Sequence, residues 1–251
     1  MKISLKGKTA LITGASRGIG RAIAMAMAEA GADIVFTYNS SPDAAEKTRE
    51  NIIRHGNMVT AIKAEISDER AILDFFQVID KQNIQIDILV NNAGVILEKP
   101  TIETSAAEFD HLMAINLRGT FLTGREVLMR MKANGTEGRI INISSDLGFL
   151  GRESFGLYAA SKGAINALTK SWALEFAPHI LVNGIAPGPV DTDMLDLENM
   201  TPEWREKEEQ IPMERIGQPD EIAGLAVFLA SDKASFVTGQ IYGVNGGSVM
   251  P

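Results

Sequence analysis

Short apolar, β-rich runs alternate with helix-patterned stretches along almost the whole chain, and that alternation leaves few folds open. Seven runs read as strands: 9–13 (TALIT), 33–38 (DIVFTY), 58–64 (MVTAIKA), 86–92 (IDILVNN), 138–144 (GRIINIS), 180–186 (ILVNGIA) and 240–245 (QIYGVN). Helical periodicity fills 18–30, 42–55, 68–82, about 104–132, 158–177 and 219–230. Strands that are nearly continuously apolar and separated by helices predict a parallel sheet covered on both faces. Right-handed crossovers then make the fold an α/β, doubly wound (Rossmann) sheet of seven strands, with ligands bound at the carboxyl ends of the strands. No linker, repeat or low-complexity stretch divides residues 1–251, which predicts one domain. One segment breaks the rhythm: 191–214 (DTDMLDLENMTPEWREKEEQIPME), read as an insertion over the strand ends and a candidate substrate lid.

Composition removes several classes of function. A net charge of −8 argues against nucleic acid or an anionic membrane as partner. The absence of cysteine excludes disulfides, thiolate catalysis and cysteine metal ligands. His55, His111 and His179 lie far apart, so no metal site is expected. The apolar stretch near the N-terminus is interrupted by Gly14, Ser16 and Arg17, too short for a signal peptide, and a cytoplasmic location is expected.

Two motifs carry chemistry. Residues 13–20 (TGASRGIG) follow the first strand and open the first helix, where Gly14, Gly18 and Gly20 allow a tight turn and close backbone approach to a pyrophosphate. Residues 158–162 (YAASK) place the phenol of Tyr158 four positions before the ammonium of Lys162, on one helix face. A cation beside a phenol favours the phenolate, so the Tyr158 pKa is expected to fall from about 10. A surface lysine that happens to lie near a ring is the other reading of an isolated pair.

The pair is not isolated. Together with NNAG (91–94), Asn116 and ISS (143–145), these motifs resemble the short-chain dehydrogenase/reductase family, from about residue 5 to residue 247. PGPVDTDM (187–194) and VTGQIYGVNGG (237–247) add to the likeness, in particular to the beta-ketoacyl-acyl-carrier-protein reductases. The resemblance implies that Tyr158 supplies a proton to the alkoxide left by hydride transfer and that Ser145 hydrogen-bonds the substrate oxygen. It further implies that Lys162 holds the nicotinamide ribose while bringing Tyr158 near 7, which asks roughly 4 kcal/mol of preference for the phenolate. Ser144 is the rival serine; the family spacing of thirteen residues before the tyrosine selects Ser145, and strand alternation puts the two on opposite faces. Asn116 shares the inward face of Leu112 and Met113. It reads as a core asparagine that also takes the family role of bending its helix and holding a water that leads to the lysine.

For the cofactor, the resemblance implies contacts from Gly14, Ser16, Arg17, Gly18, Ile19 and Gly20 of the glycine loop, with Tyr158 and Lys162 at the nicotinamide end. It adds Asn92 near the adenosine ribose beside Ala93 and Gly94, and Val190 and Thr192 on the carboxamide beside Pro187 and Gly188. Asn91 is read as stitching the sheet. At the end of the third strand Glu65, before Ile66, stands where the family has Asp or Asn against the adenine. The second strand ends Tyr38-Asn39-Ser40-Ser41, without the acid that binds a ribose 2′-hydroxyl in NAD enzymes. Asn39 and Ser40 can hydrogen-bond a phosphate, and Arg17 either pairs with it or stays solvated. NADP is therefore expected over NAD.

The resemblance implies a homotetramer, and a carrier-bound 3-oxoacyl chain is one candidate substrate. No Lys or Arg occurs between Lys170 and Arg205, while 191–214 holds nine acids, a rim that repels an acidic carrier. A small neutral ketone, alcohol or sugar is ranked first and the carrier-bound substrate second. A non-catalytic dinucleotide sensor on the same fold is the alternative from another class.

Overall fold

A computed structural model describes residues 3–251. Seven strands, β1 (Thr9–Ile12), β2 (Asp33–Tyr38), β3 (Val59–Lys63), β4 (Ile88–Asn91), β5 (Gly138–Ile143), β6 (Ile180–Pro187) and β7 (Ile241–Val244), form one parallel sheet in the order β3-β2-β1-β4-β5-β6-β7. The chain runs outward from β1 to β3, returns to β4, and runs outward the other way. The order therefore reverses between β1 and β4, and a crevice opens there at the carboxyl ends of the strands.

The helices are α1 (Gly18–Glu29), α2 (Pro42–Arg54), α3 (Glu69–Lys81), α4 (Ala106–Met113), α5 (Thr120–Asn134), α6 (Gly156–Phe176), α7 (Pro202–Glu209) and α8 (Pro219–Ala230). Strand alternation sorts the core into two layers. Ala10, Ile12, Ile34 and Phe36 face α1 and α8, whose alanine-rich faces meet through Ile23, Met27, Ile222 and Ala226. Leu11, Val35, Leu89 and Ile140 face the other way, onto Phe75, Phe76, Leu128 and Trp172 of α3, α5 and α6. A polar chain also crosses that second layer: Asn91 donates to Asn142 at 2.9 Å, and Asn142 donates to Thr169 of α6 at 2.9 Å.

Two elements depart from the sequence expectation. The helix expected over about 104–132 is two helices, with a π-helical turn, Ala114–Gly119, between them. A π turn inserts one residue, and the apolar stripe on either side continues, so the periodicity does not reveal it. The segment 191–214 contains the eight-residue helix α7, started by Thr201, whose hydroxyl accepts from the Trp204 amide, and by Pro202 in the first turn. Among the described residues no helix is long and apolar enough to cross a membrane.

Candidate active site

Beyond β1 the backbone turns sharply at Gly14 (φ +67°), where a Cβ would lie 2.9 Å from that of Ala93. Only glycine lets the loop lie this close to the turn that follows β4. Thr13 clamps the two turns together, its hydroxyl accepting from the amides of Asn92 and Ala93 at 3.0 Å each. The α1 helix then starts with no acidic residue in its first turn and no side-chain cap. Its unpaired N–H groups and positive dipole end belong to the stretch Gly18, Ile19 and Gly20, which lines the crevice. The backbone approach and the uncapped helix end fit a dinucleotide pyrophosphate.

The crevice has a volume of about 740 Å³. It is lined by every residue expected at the cofactor: Gly14, Ser16, Arg17, Gly18, Ile19 and Gly20; Asn39 and Ser40; Glu65 and Ile66; Asn92, Ala93 and Gly94; Pro187, Gly188, Val190 and Thr192. Ser145, Tyr158 and Lys162 line it too. Asn116 does not; it stands behind Gly94, where a Cβ would lie 3.2 Å from Asn116 Oδ1 and 3.6 Å from Lys162 Nζ.

Several side chains are engaged differently from the expectation. The Asn92 amide donates to the carbonyls of Thr13 and Gly14 at 2.9 and 3.1 Å and so braces the glycine loop. Arg17 pairs with Asp193 of the 191–214 segment at 3.2 Å. The Asn39 amide donates to the Glu65 carboxylate, whose other oxygen accepts from the Ser67 amide and hydroxyl at 3.1 and 2.9 Å. An acid therefore stands beside the end of β2 after all, contributed by the turn that follows β3.

At the other end, Ser145 and Ser144 diverge as strand alternation requires. Ser144 donates to the Lys162 carbonyl at 3.1 Å. Ser145 donates to Asp146 Oδ1 at 3.0 Å and accepts from the Leu147 amide at 3.1 Å. Asp146 is buried and also accepts from the Ser248 hydroxyl at 2.7 Å. The Asn116 amide donates to the Val95 carbonyl and the Ser161 hydroxyl and accepts from the Val95 amide. It locks the loop after β4 to α6 from within the π turn, and its Oδ1 keeps a second lone pair.

The expected downward shift of Tyr158 is reversed. Burial pushes the phenol up to about 12; the Ser145 hydroxyl pulls it the other way, and the Asp146 charge pushes it up further. Burial also pulls the Lys162 ammonium down, to about 8. Its Nζ donates to the Ile143 carbonyl at 2.9 Å and lies 5.8 Å from the Tyr158 ring centre. Sequence spacing gives the pair but not its desolvation. The sequence also leaves unmarked four residues that complete this end: His111, Asp146, Arg152 and Glu208. Arg152 had one signal, a cation in the loop after β5, six residues before Tyr158.

Comparison with known proteins follows the same outline. A family model described as enoyl-(acyl carrier protein) reductase matches residues 14–248. The chain is 39% identical over 249 residues to a 3-oxoacyl-(acyl-carrier-protein) reductase of Aquifex aeolicus, covering 98% of this chain and 99% of that one. A solved structure described as a candidate gluconate dehydrogenase from Agrobacterium tumefaciens superposes with a TM-score of 0.94 at 38% identity, over 100% of both chains. One described as a candidate NAD(P)-dependent gluconate 5-dehydrogenase from Beutenbergia cavernae, with bound NADP, gives 0.92 at 35% identity over 98% of each.

Proposed function

This chain belongs to the short-chain dehydrogenase/reductase family, and from that premise we propose that it is an NADP-dependent oxidoreductase that interconverts a carbonyl and a secondary alcohol on a small molecule, with Tyr158 as general acid and base. The observation that carries this reading is convergence. Ser145, Tyr158 and Lys162, from a strand end and the next helix, line the same crevice as the glycine loop.

A bound nicotinamide would supply or accept the hydride; the chain's own groups do the rest. Raised to about 12, the Tyr158 phenol is protonated at neutral pH and stands ready to protonate a developing alkoxide, which is more basic still. The Ser145 hydroxyl, once turned from Asp146, donates to the same oxygen. Lys162, charged below about 8 and anchored on the Ile143 carbonyl, presents a desolvated cation beside the phenol and would hold the ribose of a bound nicotinamide cofactor. Asn116 fixes the wall of this end through Val95 and Ser161. The 191–214 segment acts as a lid over the crevice.

NADP(H) is proposed over NAD(H). The absence of an acid at the end of β2 and the presence of Arg17 support it. Glu65 and the Asp193 partner of Arg17 oppose a 2′-phosphate, so the preference is moderate. A homotetramer is proposed as well, supported by Phe109 and Phe121 on α4 and α5, which are about half exposed, and by Leu174 on α6, which is 87% exposed. Sedimentation as a monomer at micromolar concentration would reject it.

The second reading, reduction of a carrier-bound 3-oxoacyl chain, is favoured by the 39% identity to the Aquifex aeolicus enzyme. The acidic lid argues against it. One experiment separates the readings: NADPH oxidation followed by fluorescence with a panel of small ketones and ketoses and with a carrier-bound 3-oxoacyl substrate. Turnover confined to the carrier substrate would reverse the ranking. NADPH binding with no turnover of any carbonyl would sink both.

A further inference from the structure

The reacting end of the crevice holds one ion pair that neither the proton transfer nor the cofactor cradle uses. Arg152, in the loop between β5 and α6, donates from Nη2 to Glu208 Oε1 of α7 at 2.6 Å. The guanidinium is held between two rings, 5.0 Å from the centre of Phe155 and 5.1 Å from that of Trp204. Both side chains are largely withdrawn from water, at 21% and 11% exposure, yet both line the crevice with Ser145 and Tyr158. Among the described residues, the remaining guanidinium N–H groups of Arg152 and Oε2 of Glu208 have no hydrogen-bond partner. Apolar Val95, Ile96, Leu147 and Leu195 line the crevice as well, together with the polar His111 and Asp146.

We propose that Arg152 and Glu208 read hydroxyl groups of the substrate, and that the chain therefore acts on a neutral polyhydroxylated carbonyl compound, a sugar or sugar-like polyol, in preference to a plain ketone or a carboxylate. This rests on the oxidoreductase reading above and names its substrate class. A hydroxyl both donates and accepts, so one hydroxyl, or two on adjacent carbons, satisfies an N–H of Arg152 and the free oxygen of Glu208 together. A hydrocarbon ketone would cover these groups and leave them unpaired away from water, and sites built to bond a substrate hydroxyl reject the analogue lacking it strongly. A carboxylate would either face Glu208 or displace it from Arg152, leaving a charge without a partner in a nearly dry site. The pair is electrically balanced, and a neutral ligand keeps it so.

The test is selectivity. We would measure kcat/KM with NADPH for a ketose, for the unsubstituted ketone of equal carbon number, and for the matching keto acid. The wild type should favour the ketose over the ketone by about 10²-fold or more, within what hydroxyl recognition supplies. Arg152→Met should lower that ratio by about 30-fold, the low end of what removal of one partner from a buried charge pair costs, with partial recovery in Arg152→Lys. Glu208→Gln leaves the cation unopposed and should raise the keto acid relative to the ketose. NADPH fluorescence titration identifies any variant that fails to fold. Saturation-transfer NMR of ketose protons on the Tyr158→Phe protein gives a binding signal without turnover, and Arg152→Met in that background should erase it. A ketose-to-ketone ratio that does not move in Arg152→Met overturns the proposal and leaves the oxidoreductase reading standing. Absence of turnover of all three compounds by a wild type that binds NADPH removes both.

Discussion

The two ends of the crevice are built from similar side chains in opposite surroundings. At the glycine-loop end, Arg17 and Asp193 pair at 58% and 66% exposure, and Asn39 meets Glu65 at the surface. At the other end Ser145, Tyr158, Lys162 and Asn116 are all no more than 8% exposed. Water competes for every bond at the first end, so contacts there are weak, salt-sensitive and exchangeable. Where water is excluded, the same kinds of group are locked into single partners and their proton affinities move. One end is suited to choosing a ligand; the other can hold a proton in place.

That contrast is sharpest for the proton itself. Tyr158→Phe should lower kcat by about 10³-fold or more, as loss of a general acid does, while the NADPH dissociation constant stays within a few-fold. A variant retaining a tenth of wild-type turnover would mean that the proton comes from elsewhere. Next, Ser145→Ala should cost about 10²-fold in kcat, whereas Ser144→Ala, which loses only its bond to the Lys162 carbonyl, should cost far less. The reverse ranking would exchange their roles. Third, kcat/KM for reduction should fall as pH rises past about 8, because Lys162 loses its charge there while Tyr158, at about 12, is still protonated. A profile flat to pH 10 would show that the lysine charge is not needed.

The smallest effects belong to the exposed end. Glu65→Gln removes the carboxylate that meets Asn39 beside the end of β2 and should raise the preference for NADPH over NADH by several-fold, about 1 kcal/mol as for exposed charges. Arg17→Ala should lower it by a similar factor, and both changes should shrink in molar salt. An equally large effect in high salt would mean that this end is drier than the structure has it.

The frame of the fold was legible because its signal is local. Each strand is a continuous apolar run, and each helix a periodic one, so all seven strands and most helices lie where the pattern puts them. Tyr158 and Lys162 were legible for the same reason: four residues on one helix settle their neighbourhood. What the sequence hid depends on burial or on long-range pairing. Arg152 and Glu208 are 56 residues apart and meet only when α7 folds down. The direction of the Tyr158 shift depends on how much water the rings and loops exclude, and no spacing encodes that. The bonds that tie Asn92 to Thr13 and Gly14 cross 79 and 78 residues, and no local pattern announces them.

The buried lysine has a consequence for how such a protein would be stored. An unfolded Lys162 keeps its proton to about 10.5, whereas the folded one releases it near 8. Between those values the unfolded chain binds more protons, so the lysine's contribution makes the fold more secure as the solution turns alkaline. Tyr158 acts in the opposite sense higher up: folded, it holds its proton to about 12, and the unfolded phenol lets go near 10, so stability declines across that interval. Melting curves should therefore improve from pH 8 toward 10 and worsen above it, with Lys162→Met flattening the rise. Shelf life and working rate would then have different optima, the solution that best preserves the protein being more alkaline than the one in which it reduces its substrate fastest.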